Sequence, residues 1–224
     1  MKVAQIAFLA ATAGLLYGAS DAPKRLDAAA DVLTEIMAAP DKGIPQDLLG
    51  KAECVVIVPG LKKGAFIIGG KYGKGFMLCR KGGAGWSAPG SIRVEGGSVG
   101  LQFGGSETDV VLLVMNQNGV KKLLSSKFTV GGDASAAAGP VGRTSSAATD
   151  AQMHAEILTY SRARGLFAGV SLEGATLRPD DDWNKELYGG ETSNQTIVLG
   201  DTKPPAAASR LLSILNKYSS RKSG

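Results

Sequence analysis

Between Glu53 and Met115 the chain is cut into short runs of β-branched and large apolar residues separated by glycine and proline. They are Glu53-CVVIV-Pro59, Ala65-FIIGG-Lys71, Phe76-MLCR-Lys81 and Thr108-DVVLLV-Met115. Runs of this kind read as strands, and the gaps between them are too short for the crossover helices of a parallel sheet. The sheet is therefore expected to be antiparallel, with tight turns. Two later glycine-bounded runs of small residues, Gly131-GDASAAAGPVGR-Thr144 and Arg162-ARGLFAGVSLEG-Ala175, fit strands that bend sharply and pack closely.

Helical signals flank this block. From Pro23 to Ala39, Leu26, Ala29, Ala30, Leu33, Ile36 and Met37 recur at three- and four-residue steps, which predicts an amphipathic helix. A short second helix is expected after Pro45, and another over Gln117 to Ser125. Ala155-EILTYSR-Ala163 is read as a strand. Asp180-DDWNKELYGG-Glu191 reads as a short helix started by its aspartates and ended by Gly189.

Met1 to Ser20 has the form of a secretory leader, with Lys2, an apolar stretch from Val3 to Leu16, and small residues Gly18-Ala19-Ser20 at a cleavage point after Ser20. The apolar stretch is shorter than the about 20 residues that span a bilayer. The chain is thus expected to be exported, periplasmic or secreted, and peripherally associated with membrane. Residues 1–20 are assigned to the leader, 21–190 to one domain, and 191–224 to a polar linker and a short basic amphipathic tail. Leu211, Leu215 and Tyr218 fall on one stripe of that tail, so a helix docked on the domain fits it equally well.

The residues offer little for catalysis. His154 is the only histidine, in a polar stretch that suits a surface position. Gly70 and Gly75 have the spacing of a phosphate-binding loop, but Phe76 follows where a lysine is needed. Asp180-Asp181-Asp182 lacks the alternating acidic spacing of a calcium loop. No Gly-x-Ser-x-Gly elbow occurs. No cofactor, metal or enzyme activity is expected, and no nucleic-acid motif accompanies the basic residues.

Charge points elsewhere. The formal charge is +5, and between Glu53 and Glu95 lie seven basic residues with no acidic one. Such a run fits either a face for anionic lipid headgroups or an ordinary solvated strand edge. Lys62, Lys63, Lys71, Lys74, Arg80 and Lys81 are the leading candidates for headgroup contact, with Arg143, Arg162 and Arg164 behind them. Cys54 and Cys79 sit in apolar runs that suit buried thiols, and an exported chain also permits a bridge between them.

Trp86-SAPGSI-Arg93, Gly97-SVGLQFGG-Ser106, Thr108-DVVLLVMN-Gln117 and Leu124-SSKFTVGGDAS-Ala136, together with the two glycine-bounded runs, resemble the SYLF domain from about Leu33 to about Gly190. The resemblance implies an α+β fold, here a curved antiparallel sheet or barrel-like β core with an N-terminal amphipathic helix and short flanking helices. It also implies a non-enzymatic module that binds lipid, with phosphoinositide-type headgroups in eukaryotic relatives and actin in some. The partners expected are an anionic phospholipid or membrane surface, or alternatively an envelope protein.

Overall fold

Helix α1 (Asp21–Ala38) lies along one face of a curled sheet because its apolar stripe has nowhere else to be dry. Leu26, Leu33 and Ile36 are fully buried there. The computed structural model describes residues 21–39, 43–65, 68–82, 85–99, 104–142, 152, 154–163, 166–169, 172 and 174–219. Residues 1–20, the expected leader, lie outside them.

The remaining elements are α2 (Gln46–Lys51), β1 (Cys54–Ala65), β2 (Ile68–Cys79), β3 (Gly90–Val99), β4 (Gly104–Val114), α3 (Gln117–Leu123), β5 (Phe128–Thr129), β6 (Ala136–Ala138), β7 (Ile157–Ala163), β8 (Leu166–Gly169), β9 (Thr176–Pro179), α4 (Asp181–Tyr188), α5 (Asn194–Leu199) and α6 (Ser209–Tyr218). The strands form a half-barrel in the order β5-β9-β3-β2-β1-β4-β7-β6, with β8 also on β7. This is the expected α+β curved sheet. Among the described residues the strand pairings are antiparallel except the short parallel one between β6 and β7, and an isolated parallel bridge joins Val130 and Ala134. No described helix is long and apolar enough to cross a membrane.

Both faces of the sheet are buried over much of their extent, which explains runs that are apolar throughout. Val55, Ile57, Phe76, Leu78, Val111 and Leu113 join α1, α2, α4 and α6 in one core. Alternate residues, such as Val56, Met77, Leu112 and Val114, face a second core with α3 and α5. The first is called the helical face below, the other the second face.

The break expected at Pro59 does not end a strand, and the run Ala65–Lys71, expected as one strand, holds the end of β1 at Ala65 and the start of β2 at Ile68. β1 and β2 each run 12 residues. Pro59-Gly60 is instead a bulge, since register shifts between Val58 and Leu61 against β4 and between Ile57 and Lys62 against β2. Proline lacks a ladder donor and is accommodated at such points. Gly60 adopts φ +57°, and its N–H donates to Asp109 at 2.9 Å.

Cys54 and Cys79 are directly opposite each other at the start of the β1–β2 ladder and form a disulfide, Cα–Cα 4.0 Å. Of the two readings open for these cysteines, the bridge is the one found. Replacing both by alanine should cost about 3 kcal/mol, because the bridge closes a long loop. Urea denaturation under oxidising conditions measures this; an unchanged midpoint would contradict it.

The C-terminal segment packs on the body. α5 lies inside the stretch expected as a polar linker and buries Ile197 and Val198. α6 buries Leu211 and Leu215. α4 is capped as expected, by the Asp180 side chain on Trp183 N–H and by Gly189 at φ +73°.

Candidate functional site

Strand alternation divides the basic residues that the sequence places together. Lys62 is opposite Tyr72, on the helical face with Lys74 and Phe76. Lys63 and Lys71, one step along each strand, are opposite each other on the second face. Arg80 and Lys81 lie at the far end of β2, roughly 20 Å from Lys74 at the strand rise. Arg143 and Arg164 lie outside the described residues.

The helical-face group opens on a cleft of about 460 Å³ between the first turns of α1 and the β1 bulge. Lys24, Arg25, Lys62 and Lys74 line it, against one carboxylate, Asp21. Two of these cations are fixed. Arg25 donates to the Pro59 carbonyl at 3.0 Å, so the bulge aims it. Lys74 reaches Asp180 at 2.7 Å and lies 4.5 Å from the centroid of the Trp183 ring. Trp183 in turn stacks on Phe76 at 5.8 Å, forming an apolar floor. The other two, Lys24 and Lys62, are exposed and have no hydrogen bond or ion pair among the described residues. Tyr72, 51 % exposed, stands beside Lys62.

Sequence reasoning missed Lys24, Arg25, Tyr72 and Trp183. The available signal was the basic pair Lys24-Arg25 near the start of α1. That end of a helix carries the positive end of the macrodipole and normally favours acids.

A second cleft of about 570 Å³ continues past Arg25 and Gly60 toward Glu35, Glu107 and Asp109. Arg162 sits in it, bonded to Asp109 at 2.6 Å and paired with Glu35. Burial pushes the Asp109 carboxyl above its ordinary range, partly offset by the Gly60 N–H. Arg162 is thus held inside an ion network that ties α1 to β4 and β7.

Arg80 is also turned inward. Its guanidinium donates to the carbonyls of Leu49 and Gly50 at 3.2 Å, Ala52 at 3.3 Å and Ser219 at 2.7 Å, and packs 4.0 Å from the Trp86 ring centroid. It joins the C-terminal ends of α2 and α6. Lys81 pairs with Asp201 and donates to the Gly200 carbonyl. Arg80→Gln should therefore lose about 2 kcal/mol of stability through stranded carbonyls. Vesicle association should not change. A variant of wild-type stability with weakened association would reverse that assignment.

Comparison with known proteins fits this architecture. The family model described as Ysc84, Las17-binding protein actin regulator, matches residues 95–218. The chain belongs to the Ysc84 family. This is the SYLF family of the sequence resemblance. Among Ysc84 relatives, it is 38% identical over 176 residues to the SH3 domain-containing protein PJ696.02 of Schizosaccharomyces pombe, covering 77% of this chain and 41% of that one. It is 35% identical over 178 residues to LAS seventeen-binding protein 3 of Saccharomyces cerevisiae, covering 78% and 39%. With human SH3 domain-containing YSC84-like protein 1 the identity is 33% over 183 residues, covering 81% and 53%. The chain thus spans about two-fifths to half the length of these Ysc84 relatives. His154 is exposed, and no metal-binding cluster occurs among the described residues.

Proposed function

We propose that this Ysc84-family chain is a non-enzymatic module that associates with anionic membrane lipids, headgroup first, through the cleft between α1 and the β1 bulge. The observation that carries this reading is the set of four cations around one opening, two of them with no hydrogen bond or ion pair among the described residues. Fixed cations on the floor position a phosphate. Exposed lysines at the rim supply long-range attraction of roughly 1 kcal/mol each near an anionic surface. Tyr72 adds an amphipathic ring of the kind that favours the membrane interface.

An exported, periplasmic or secreted location accompanies this proposal. The Cys54–Cys79 bridge supports it, because disulfides persist in oxidising compartments and are rare in the cytosol. Co-sedimentation of the full chain with phosphatidylcholine vesicles, with and without phosphatidylglycerol, tests the lipid reading. Association is expected only with the anionic vesicles and should fall as salt shortens the Debye length. Equal binding to both, or to neither, would remove it.

Protein interaction is the second reading, favoured by the family's description as an actin regulator. Capture of actin or an envelope protein by a chain that ignores every anionic vesicle would select it.

A further inference from the structure

Among the described residues β9 pairs with β3 over Ile92–Glu95 and β7 with β4 over Asp109–Val114. Beyond those residues β3, β2, β1 and β4 continue as a four-stranded projection in unbroken register. One row across it reads Gly96, Lys71, Lys63, Ser106. The two lysines are direct cross-strand partners, so their Cβ atoms are about 5 Å apart, a placement that is unfavourable for like charges. No acidic residue occupies that row or the rows beside it on the same face.

Neither ammonium has an ion pair or hydrogen bond among the described residues, whereas Lys74, Lys81 and Lys122 each hold a carboxylate. Burial, reinforced by the charge of Lys71, pulls the Lys63 ammonium below the ordinary lysine value. A phosphate bridging the two ammonium groups removes the repulsion. On the Gly96 flank the site is bounded by backbone, since a Cβ there would stand 3.3 Å from the Gly174 carbonyl oxygen and 3.5 Å from the Ala175 Cα.

We infer that Lys63 and Lys71 form a second phosphate site on the sheet face opposite the α1 cleft, and that the projection meets the membrane end-on. Lys62 and Lys63 are consecutive residues on opposite faces, so a bilayer lying flat against either face reaches only one of them. An end-on approach places Lys62, Lys63 and Lys71 in one headgroup layer. This inference rests on the lipid reading above and adds to it a second site and an orientation.

The test is titration of the full chain with vesicles of phosphatidylcholine and phosphatidylglycerol in equal parts, at low salt. K63Q/K71Q should bind about thirtyfold more weakly than wild type and K62Q about fivefold. K121Q/K203Q, which removes exposed lysines elsewhere, should bind as wild type does. The thermal midpoint of K63Q/K71Q should be unchanged or raised, since a repulsion is lost. If K63Q/K71Q binds like wild type while K62Q is weakened, the second site and the end-on orientation fail and the cleft reading stands. A wild-type chain that binds no anionic vesicle would sink both.

Discussion

Gly75→Ala is expected to destabilise the protein by about 3 kcal/mol or more, above the usual range for an overpacked core position. A Cβ at residue 75 would stand 2.1 Å from the Ile57 carbonyl oxygen and 2.8 Å from the Val58 Cα. Both atoms are backbone, immediately before the Pro59-Gly60 bulge, so no rotamer change relieves the contact. β1 would have to leave β2 at the point where the extra residue is accommodated. The bulge also aims Arg25 into the cleft through the Pro59 carbonyl. A partly folded Gly75→Ala chain should therefore lose vesicle association along with its cooperative unfolding. Denaturant titration followed by Trp fluorescence measures the first effect. A wild-type midpoint would mean that the bulge does not need this close approach.

The second large effect is expected from Lys24→Glu combined with Lys62→Glu. Each reversal changes the local charge by two, so the pair should cost roughly 4 kcal/mol of association, about a thousandfold, at low ionic strength. Both side chains are exposed, and the stability cost should stay within about 1 kcal/mol, from the like-charge pair that Lys62→Glu makes with Glu107 across β4. The loss should shrink as salt rises, because screening weakens the wild-type attraction as well. Vesicle titration at two salt concentrations reads this directly, and an unaltered affinity would show that the cleft takes no part in lipid association.

Much of the architecture follows from patterns that need no partner. The stripe Leu26, Leu33, Ile36 places α1, and the Asp180 and Gly189 caps bound α4, because helix periodicity and capping are local. The strand over Ile157–Ala163 follows from its β-branched and aromatic content. Strand limits at Pro59 and within Ala65–Lys71 were not legible, since proline in a bulge and proline in a turn look alike along one chain, and an apolar run does not show where one strand gives way to the next. The disulfide had the same difficulty. Whether Cys54 meets Cys79 depends on the register of β1 against β2, and the bulge shifts that register by one.

The candidate site was legible only as a stretch of charge. Counting lysines located Lys62 and Lys74 but not which face each takes, because the bulge exchanges the faces of β1 at Leu61. Arg80 resembles its neighbours in sequence, yet it faces four carbonyls that come from α2, the residue after α2 and the end of α6. Only folding brings those together. Lys24 and Arg25 lie outside the apolar stripe of α1, where charged residues are ordinary. The stripe Leu211, Leu215, Tyr218 would be the same on a free tail and on a docked helix, and the Trp86 N–H bond to Ser219 at 2.9 Å shows the docked one.

The most direct measurement is lysine acetylation of the full chain, read by mass spectrometry, with and without phosphatidylglycerol-containing vesicles. The cleft account predicts strong protection of Lys24 and Lys62 and none of the exposed Lys121 and Lys203. Protection of Lys121 or Lys203 with Lys24 and Lys62 still reactive would contradict it.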